Sequence, residues 1–296
     1  MFRLLFLGVL FTCNLFALEH YERYVKEYEE NGTLFITTRR FDLQGVTFYL
    51  TINTQTLQTK VLRLEASTLQ PLSKRFYDTP FAKALQNATS LPAKGGASHA
   101  SPSLPKAIYL SMDMCPSSKK GYESAFLEHL VAQNGKTPIA IAMSSAWMEH
   151  HPKEFEELST NPKLDITWVN HTYTHFYDRN LPDKENFMLH PNTNIQHEIF
   201  GLEQKLLEQG ITPSVFFRFP GLMANEALMK ELRETYFLIP LGSDTWIAKM
   251  QAIKEGSIIL IHGNKNESIG IEMLEEELPR VLKNFTFHAI KEAFIR

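Results

Sequence analysis

From Lys106 onward, short apolar runs alternate with stretches of helical period, and this alternation limits the fold more than any other feature of the sequence. Residues 107–112, 138–143 and 164–169 are apolar or β-branched runs of strand length, as expected for strands buried on both faces. Between the first two, Tyr122, Phe126, Leu130 and Val131 recur at helical spacing, and Gly135 stops the run. A second helical stretch covers residues 146–158. A third is marked by Ile195, Ile199, Leu202 and Leu206, with Thr193 and Gln196 as a capping box and Gly210 as its stop. Residues 215–217, 237–239 and 257–261 read as further strands, and residues 271–282 as a final amphipathic helix. The pattern predicts an α/β domain built on a parallel sheet or barrel.

The reactive side chains sit at the ends of these runs. Asp113 follows the first strand, and His171 and His175 follow the third. Arg218 ends the run at 215–217. Asp244 and Trp246 follow a short strand ending at Pro240, and His262 ends the run at 257–261. In a parallel barrel the C-terminal strand ends converge on one face, where active sites are built, so these groups are expected to share one site. Asn170-His171-Thr172-Tyr173-Thr174-His175 holds two imidazoles four residues apart. A helical turn there would place both on one face, spaced to chelate a divalent ion. Taken singly, each residue has an ordinary alternative: Asp113 in a turn, Arg218 in a surface ion pair, His262 as a satisfied histidine.

Taken together, the ordered motifs over residues 106–290 resemble the polysaccharide deacetylases of the nodulation type, carbohydrate esterase family 4. Leu110-Ser111-Met112-Asp113-Met114-Cys115-Pro116 is similar to the family's LTFDDGP. Residues 170–175 match NH[ST]xxH, Phe217-Arg218-Phe219-Pro220-Gly221 matches FRxPxG, and Ile259-Leu260-Ile261-His262 matches LxxH. Ser243-Asp244-Thr245-Trp246 resembles the fourth motif less closely. The resemblance implies a distorted parallel (β/α) barrel that hydrolyses an acetyl group from a sugar. It implies a divalent metal, Zn²⁺ by ligand type, on His171 and His175. It also implies Asp113 as base, Arg218 as its partner, His262 as acid and Asp244 among the catalytic residues. Pro220, Trp246 and Leu260 would line the acetyl-sugar site.

One position departs from the family. Its first motif carries two adjacent aspartates, base then metal ligand, and Met114 stands where the ligand is expected. A thioether is a poor zinc ligand. Cys115, Asp244 and Glu267 are candidates to fill the gap, and a small packed cysteine is the plain alternative for Cys115. Two other functions stay open here: a deacetylase homologue that binds glycan without turnover, and a metal-independent amidohydrolase acting on a small amide.

The rest of the chain sets the context. Arg3 followed by the apolar run at residues 4–16 and Ala17 reads as a signal peptide, which predicts an exported, periplasmic or secreted protein. Residues 19–87 read as a small β-rich unit of unassigned role: a short polar helix at 21–30 stopped by Asn31-Gly32, then strands near 33–38, 46–52 and 60–65. Residues 88–105 have the Ala, Ser, Pro and Gly composition of a linker. A net charge of -3 argues against a nucleic-acid partner and leaves an acetylated glycan as the expected one. Of two cysteines, Cys13 lies in the signal segment, so Cys115 has no intramolecular disulfide partner in a processed chain.

Overall fold

A computed structural model describes residues 18–88 and 95–295. The expected signal segment lies outside the described residues. The described chain opens with an antiparallel meander of β1 (Glu19–Glu30), β2 (Thr33–Leu43), β3 (Val46–Asn53) and β4 (Thr59–Leu62). Residues 21–30, expected as a helix, are therefore most of a long strand. Asn31-Gly32 does not stop a helix; it is the two-residue turn of the β1–β2 hairpin, with Glu30 paired to Thr33. Both turn residues have positive φ, 51° and 77°, as a type I′ turn requires. Register shifts between Glu19 and Glu22 and between Arg23 and Lys26 break the side-chain alternation of β1, which hides its period of two.

Helix α1 (Pro80–Asn87) follows, capped by Thr79, whose side chain accepts from the Ala82 N–H. Beyond it lies the parallel sheet: β5 (Ala107–Met114), β6 (Thr137–Met143), β7 (Leu164–Asn170), β8 (Phe216–Phe217), β9 (Ile239–Pro240), β10 (Thr245–Trp246), β11 (Ile258–His262) and β12 (Thr286–Phe287). The order is β10-β11-β5-β6-β7-β8-β9, with β12 beside β5. This is the expected α/β architecture, in the form of a half-barrel. The helices between strands are α2 (Ser124–Asn134), α3 (Ser145–His150), α4 (Pro152–Ser159), α5 (Ile195–Glu208), α6 (Glu226–Glu234) and α7 (Ser268–Asn284). The single helix expected over 146–158 is split at His151-Pro152, because proline lacks the N–H that would continue α3. The cap of α5 is Asn194, which accepts from the His197 N–H, not Thr193.

Strand alternation divides the core. On β5, Ile108, Leu110, Met112 and Met114 face outward into the cluster formed with Phe126, Leu130, Leu274 and Leu278 of α2 and α7. Ala107 and Tyr109 belong to a second, inner cluster, and Ser111 and Asp113 share their parity. The inner cluster also contains Ile36, Ile52, Phe76 and Phe81, so the N-terminal unit and the half-barrel share apolar packing. Residues 95–100, of linker composition, are built into the same structure. Ala97 bridges to Leu241 after β9, and His99 bridges to Ser257 before β11. Gly96, at φ 126°, lets the chain approach β9: a Cβ there would lie 2.3 Å from the Pro240 carbonyl oxygen.

A buried ion pair also joins the two regions. Arg39 of β2 donates from Nε and Nη2 to the Glu203 carboxylate of α5 at 2.7 and 2.9 Å, and from Nη1 to the Tyr236 carbonyl at 3.1 Å. Both side chains are 1 % exposed. Removing one partner of such a pair leaves the other charge buried and uncompensated. Arg39→Ala is therefore expected to destabilise the protein by about 3–5 kcal/mol, read by urea denaturation, and a chain beginning at Ser103 is expected to be insoluble or molten.

Candidate metal and active site

The site is built on the C-terminal ends of β5, β7, β8 and β11. Asp113 and His262 are register partners on β5 and β11, which fixes them side by side. After β7 the chain forms a non-helical turn, not the helical turn expected. Thr172 and His175 have φ 74° and 49°. A β-branched residue at positive φ is strained, so the turn must be held from outside. Asn170 does this from one side: its Oδ1 accepts from the Thr172 N–H at 3.0 Å, while its Nδ2 donates to the Ile199 carbonyl at 2.9 Å. Glu198 of α5 does it from the other, accepting from the Thr174 N–H at 2.9 Å and the Thr174 hydroxyl at 2.6 Å. The result brings the His171 and His175 ring centroids to 4.7 Å.

Asp113 is buried beside Arg218. Arg218 donates to Asp113 Oδ1 at 3.0 Å, to the Ser111 hydroxyl at 2.9 Å and to the Leu241 carbonyl at 2.7 Å. Burial alone would raise the Asp113 carboxyl, but the Arg218 guanidinium, together with His171, His262 and His175, outweighs it and holds the group below the usual carboxylate value. His171 is fully buried, and its Nδ1–H donates to the Arg218 carbonyl at 2.8 Å. That bond fixes the tautomer and leaves Nε2 as a lone pair, 3.5 Å from Cys115 Sγ and 3.8 Å from Asp113 Oδ2. Among the described residues, His175 Nε2 is buried with no hydrogen-bond partner. Cys115, His171 and His175 offer ligand atoms all within 4.8 Å of one another. Two imidazole nitrogens and a sulfur are donors zinc accepts, and an orphaned buried nitrogen is what a metal site presents without its ion, so these residues fit a divalent metal.

Across the cleft, His262 Nδ1–H donates to Glu267 Oε2 at 2.8 Å, and Trp246 Nε1–H donates to the same oxygen at 2.8 Å. Burial disfavours the imidazolium, but bonding to Cys115 and Glu267 outweighs it and pushes His262 up to about 10. The Cys115 thiol is raised by burial and lowered further by His175 and His262, to about 7. The cleft holds about 560 Å³, and its walls include Asp113, Cys115, His175, Trp246, Leu260 and His262, with Phe176, Tyr177, Phe187 and Leu222 on the apolar side.

No protein-family model matches the chain. Solved structures do. One is PdaA of Bacillus subtilis, a family 4 carbohydrate esterase, with a TM-score of 0.53 at 16% identity over 72% of this chain and 87% of that one. A family 4 carbohydrate esterase from Bacillus anthracis gives 0.51 at 17% identity over 72% and 90%. The chain has the fold of the family 4 carbohydrate esterases. A third esterase-fold structure is a peptidoglycan N-acetylglucosamine deacetylase in complex with 4-naphthalen-1-yl-N-oxidanyl-benzamide, at 0.50 and 18% identity over 73% and 96%.

On this esterase fold Asp113, His175, Trp246, Leu260 and His262 meet at the cleft, with His171 and Arg218 buried among them. Pro220 is buried and does not line it, and the neighbouring Gly221 and Leu222 form the wall instead. Asp244 does not reach the cleft. Its carboxylate bonds His99 Nδ1 at 2.9 Å and accepts from the Ile258 N–H at 3.2 Å, tying residues 95–100 to β11. Met114 does not face the site either, since its side chain belongs to the outer core. Glu267, weighed from sequence as a ligand, instead orients His262. Glu267→Ala is expected to lower kcat about 10- to 100-fold, less than loss of a general acid itself. Its KM and thermal midpoint should change little, as steady-state kinetics and melting curves would show.

Proposed function

We propose that this protein is an exported hydrolase that removes acetyl groups from an N-acetylated cell-envelope sugar, with peptidoglycan the leading substrate. The observation that carries the reading is the meeting of an ionised Asp113–Arg218 pair, a His262–Glu267 pair and the Cys115–His171–His175 cluster in one cleft. Export rests on the apolar run at residues 4–16. The glycan class rests on the fold and on the substrate named for one structural neighbour. His171 and His175 would hold a divalent metal, which would supply Lewis-acid polarisation of the acetyl carbonyl. Asp113, kept ionised by Arg218, takes the proton of the attacking water. His262, aimed by Glu267, gives a proton to the departing sugar nitrogen. Trp246 and Leu260 form the apolar wall for the acetyl methyl, and the exposed Tyr177 offers an aromatic face to the sugar ring.

The test is acetate release from purified sacculi and from N-acetylglucosamine oligosaccharides, before and after dialysis against a chelator. Release that is lost on dialysis and restored by Zn²⁺ or Co²⁺ is expected. Release unchanged by the chelator would favour the metal-independent amidohydrolase, and binding without release the non-catalytic homologue.

A further inference from the structure

The third protein ligand of the metal is unassigned by the fold's first motif, because Met114 occupies its place. Resting on the deacetylase reading above, we infer that Cys115 supplies it as a thiolate, making a Cys–His–His centre in place of a carboxylate-containing one. Three observations carry this. The first is strand parity. Met114 points into the outer core with Met112 and Trp147, whereas Cys115 lies on the same side as Asp113 and lines the cleft. A ligand displaced by one residue along the chain thereby returns to the metal side.

The second is elimination. The carboxylates the sequence offered as replacements are engaged elsewhere. Glu267 Oε2 holds His262 and Trp246, and Asp244 is bonded to His99 and the Ile258 amide. Asp113 Oδ1 is taken by Arg218, and although its Oδ2 lies 3.8 Å from His171 Nε2, Asp113 is not among the residues whose ligand atoms all lie within 4.8 Å of one another. The third is the buried lone pair. Because the Arg218 carbonyl takes the Nδ1–H of His171, Nε2 carries no proton and faces Cys115 Sγ at 3.5 Å, while His175 Nε2 is buried without a hydrogen-bond partner among the described residues. A carbonyl on the far nitrogen is the outer support that metal-bound histidines use. A thiolate with two imidazoles also sets metal choice: Zn²⁺ and Co²⁺ are favoured over Mg²⁺, Ca²⁺ and Mn²⁺, which prefer oxygen.

Cobalt reports on the sulfur directly. Chelator-treated protein titrated with Co²⁺ under reducing, anaerobic conditions should take up one equivalent and develop an intense near-ultraviolet sulfur-to-cobalt charge-transfer band. Cys115→Ser should lose the band and weaken Co²⁺ binding by more than about 100-fold, beyond the effect of an outer-shell change. Cys115→Asp should bind Co²⁺ without the band, and the circular dichroism of Cys115→Ser should match the wild type, so that its lost band is not a folding failure. In the wild type, alkylation at Cys115, read by peptide mapping, should slow at least about tenfold when metal is bound, since the free thiolate is the nucleophile. Bound Co²⁺ with no charge-transfer band, a band that survives in Cys115→Ser, or a wild type that binds no metal would each overturn the assignment. Acetate release scored on the same preparations separates the two ideas. A thiolate band without deacetylation sinks the proposed function and leaves the ligand. Chelator-sensitive deacetylation without the band does the reverse.

Discussion

Asp113→Asn is expected to lower kcat on an N-acetylated oligosaccharide by about 10²–10⁴-fold, roughly 3–5 kcal/mol of barrier. The amide keeps an oxygen for the Arg218 Nη1–H, now 3.0 Å from Asp113 Oδ1, but has no basic oxygen to accept a proton. The change also leaves the fully buried Arg218 without its counter-charge, so some loss of stability should accompany it. Arg218 retains its bonds to Ser111, Leu241 and Gly242, which is why the fold should survive and the activity should not. Kinetics run well below the thermal midpoint of the variant, with circular dichroism as a check, separate the two effects. Near wild-type kcat in a folded Asp113→Asn protein would remove Asp113 from the chemistry.

His171→Ala carries the other large effect: metal content falling from one equivalent to none, and activity falling to background. His171 is 0 % exposed, and its ring bridges the Arg218 carbonyl to the ligand cluster. Truncation therefore removes a ligand, opens a cavity and strands a buried carbonyl, so stability should also fall. His175→Ala is the companion that isolates the metal effect. That ring is only half-buried and its Nε2 has no hydrogen bond to lose among the described residues, so metal should be lost with little change in melting temperature. Elemental analysis of both variants, prepared in the same way as the wild type, is the measurement. Full metal occupancy in His175→Ala would exclude it as a ligand.

Much of this site was legible in the chain because it depends on strand ends. Apolar runs locate β5, β7 and β11 and put Asp113 and His262 at strand ends on one face, whereas their pairing depends on the sheet order that sets β11 beside β5. What stayed hidden depends on single-residue parity or on distant partners. The end of β5 could not be fixed closely enough to tell that Met114 turns outward and Cys115 inward, and one residue reverses the face. Asp244 looked catalytic because it follows a strand, yet its partner His99 lies 145 positions away in a stretch of linker composition. Glu267 was visible five residues after His262, but nothing local distinguishes a carboxylate that orients a histidine from one that binds metal. The register shifts of β1 hide its strand period, and Asn31-Gly32, a strong hairpin signal, also has the composition of a helix stop. The turn at 170–175 was recognised by its residues while its conformation was not, because Glu198 imposes it from a helix elsewhere in the chain.

The most direct test of the account is paired quantification of acetate and free amino sugar from an N-acetylglucosamine oligosaccharide. Amide hydrolysis releases one acetate for each amine uncovered. Metal-loaded wild-type protein is expected to yield both in equal amounts, and Asp113→Asn to yield both at least about 100-fold more slowly at the same protein concentration. Metal-loaded, folded wild-type protein that produces no amine from either the oligosaccharide or purified peptidoglycan would contradict it.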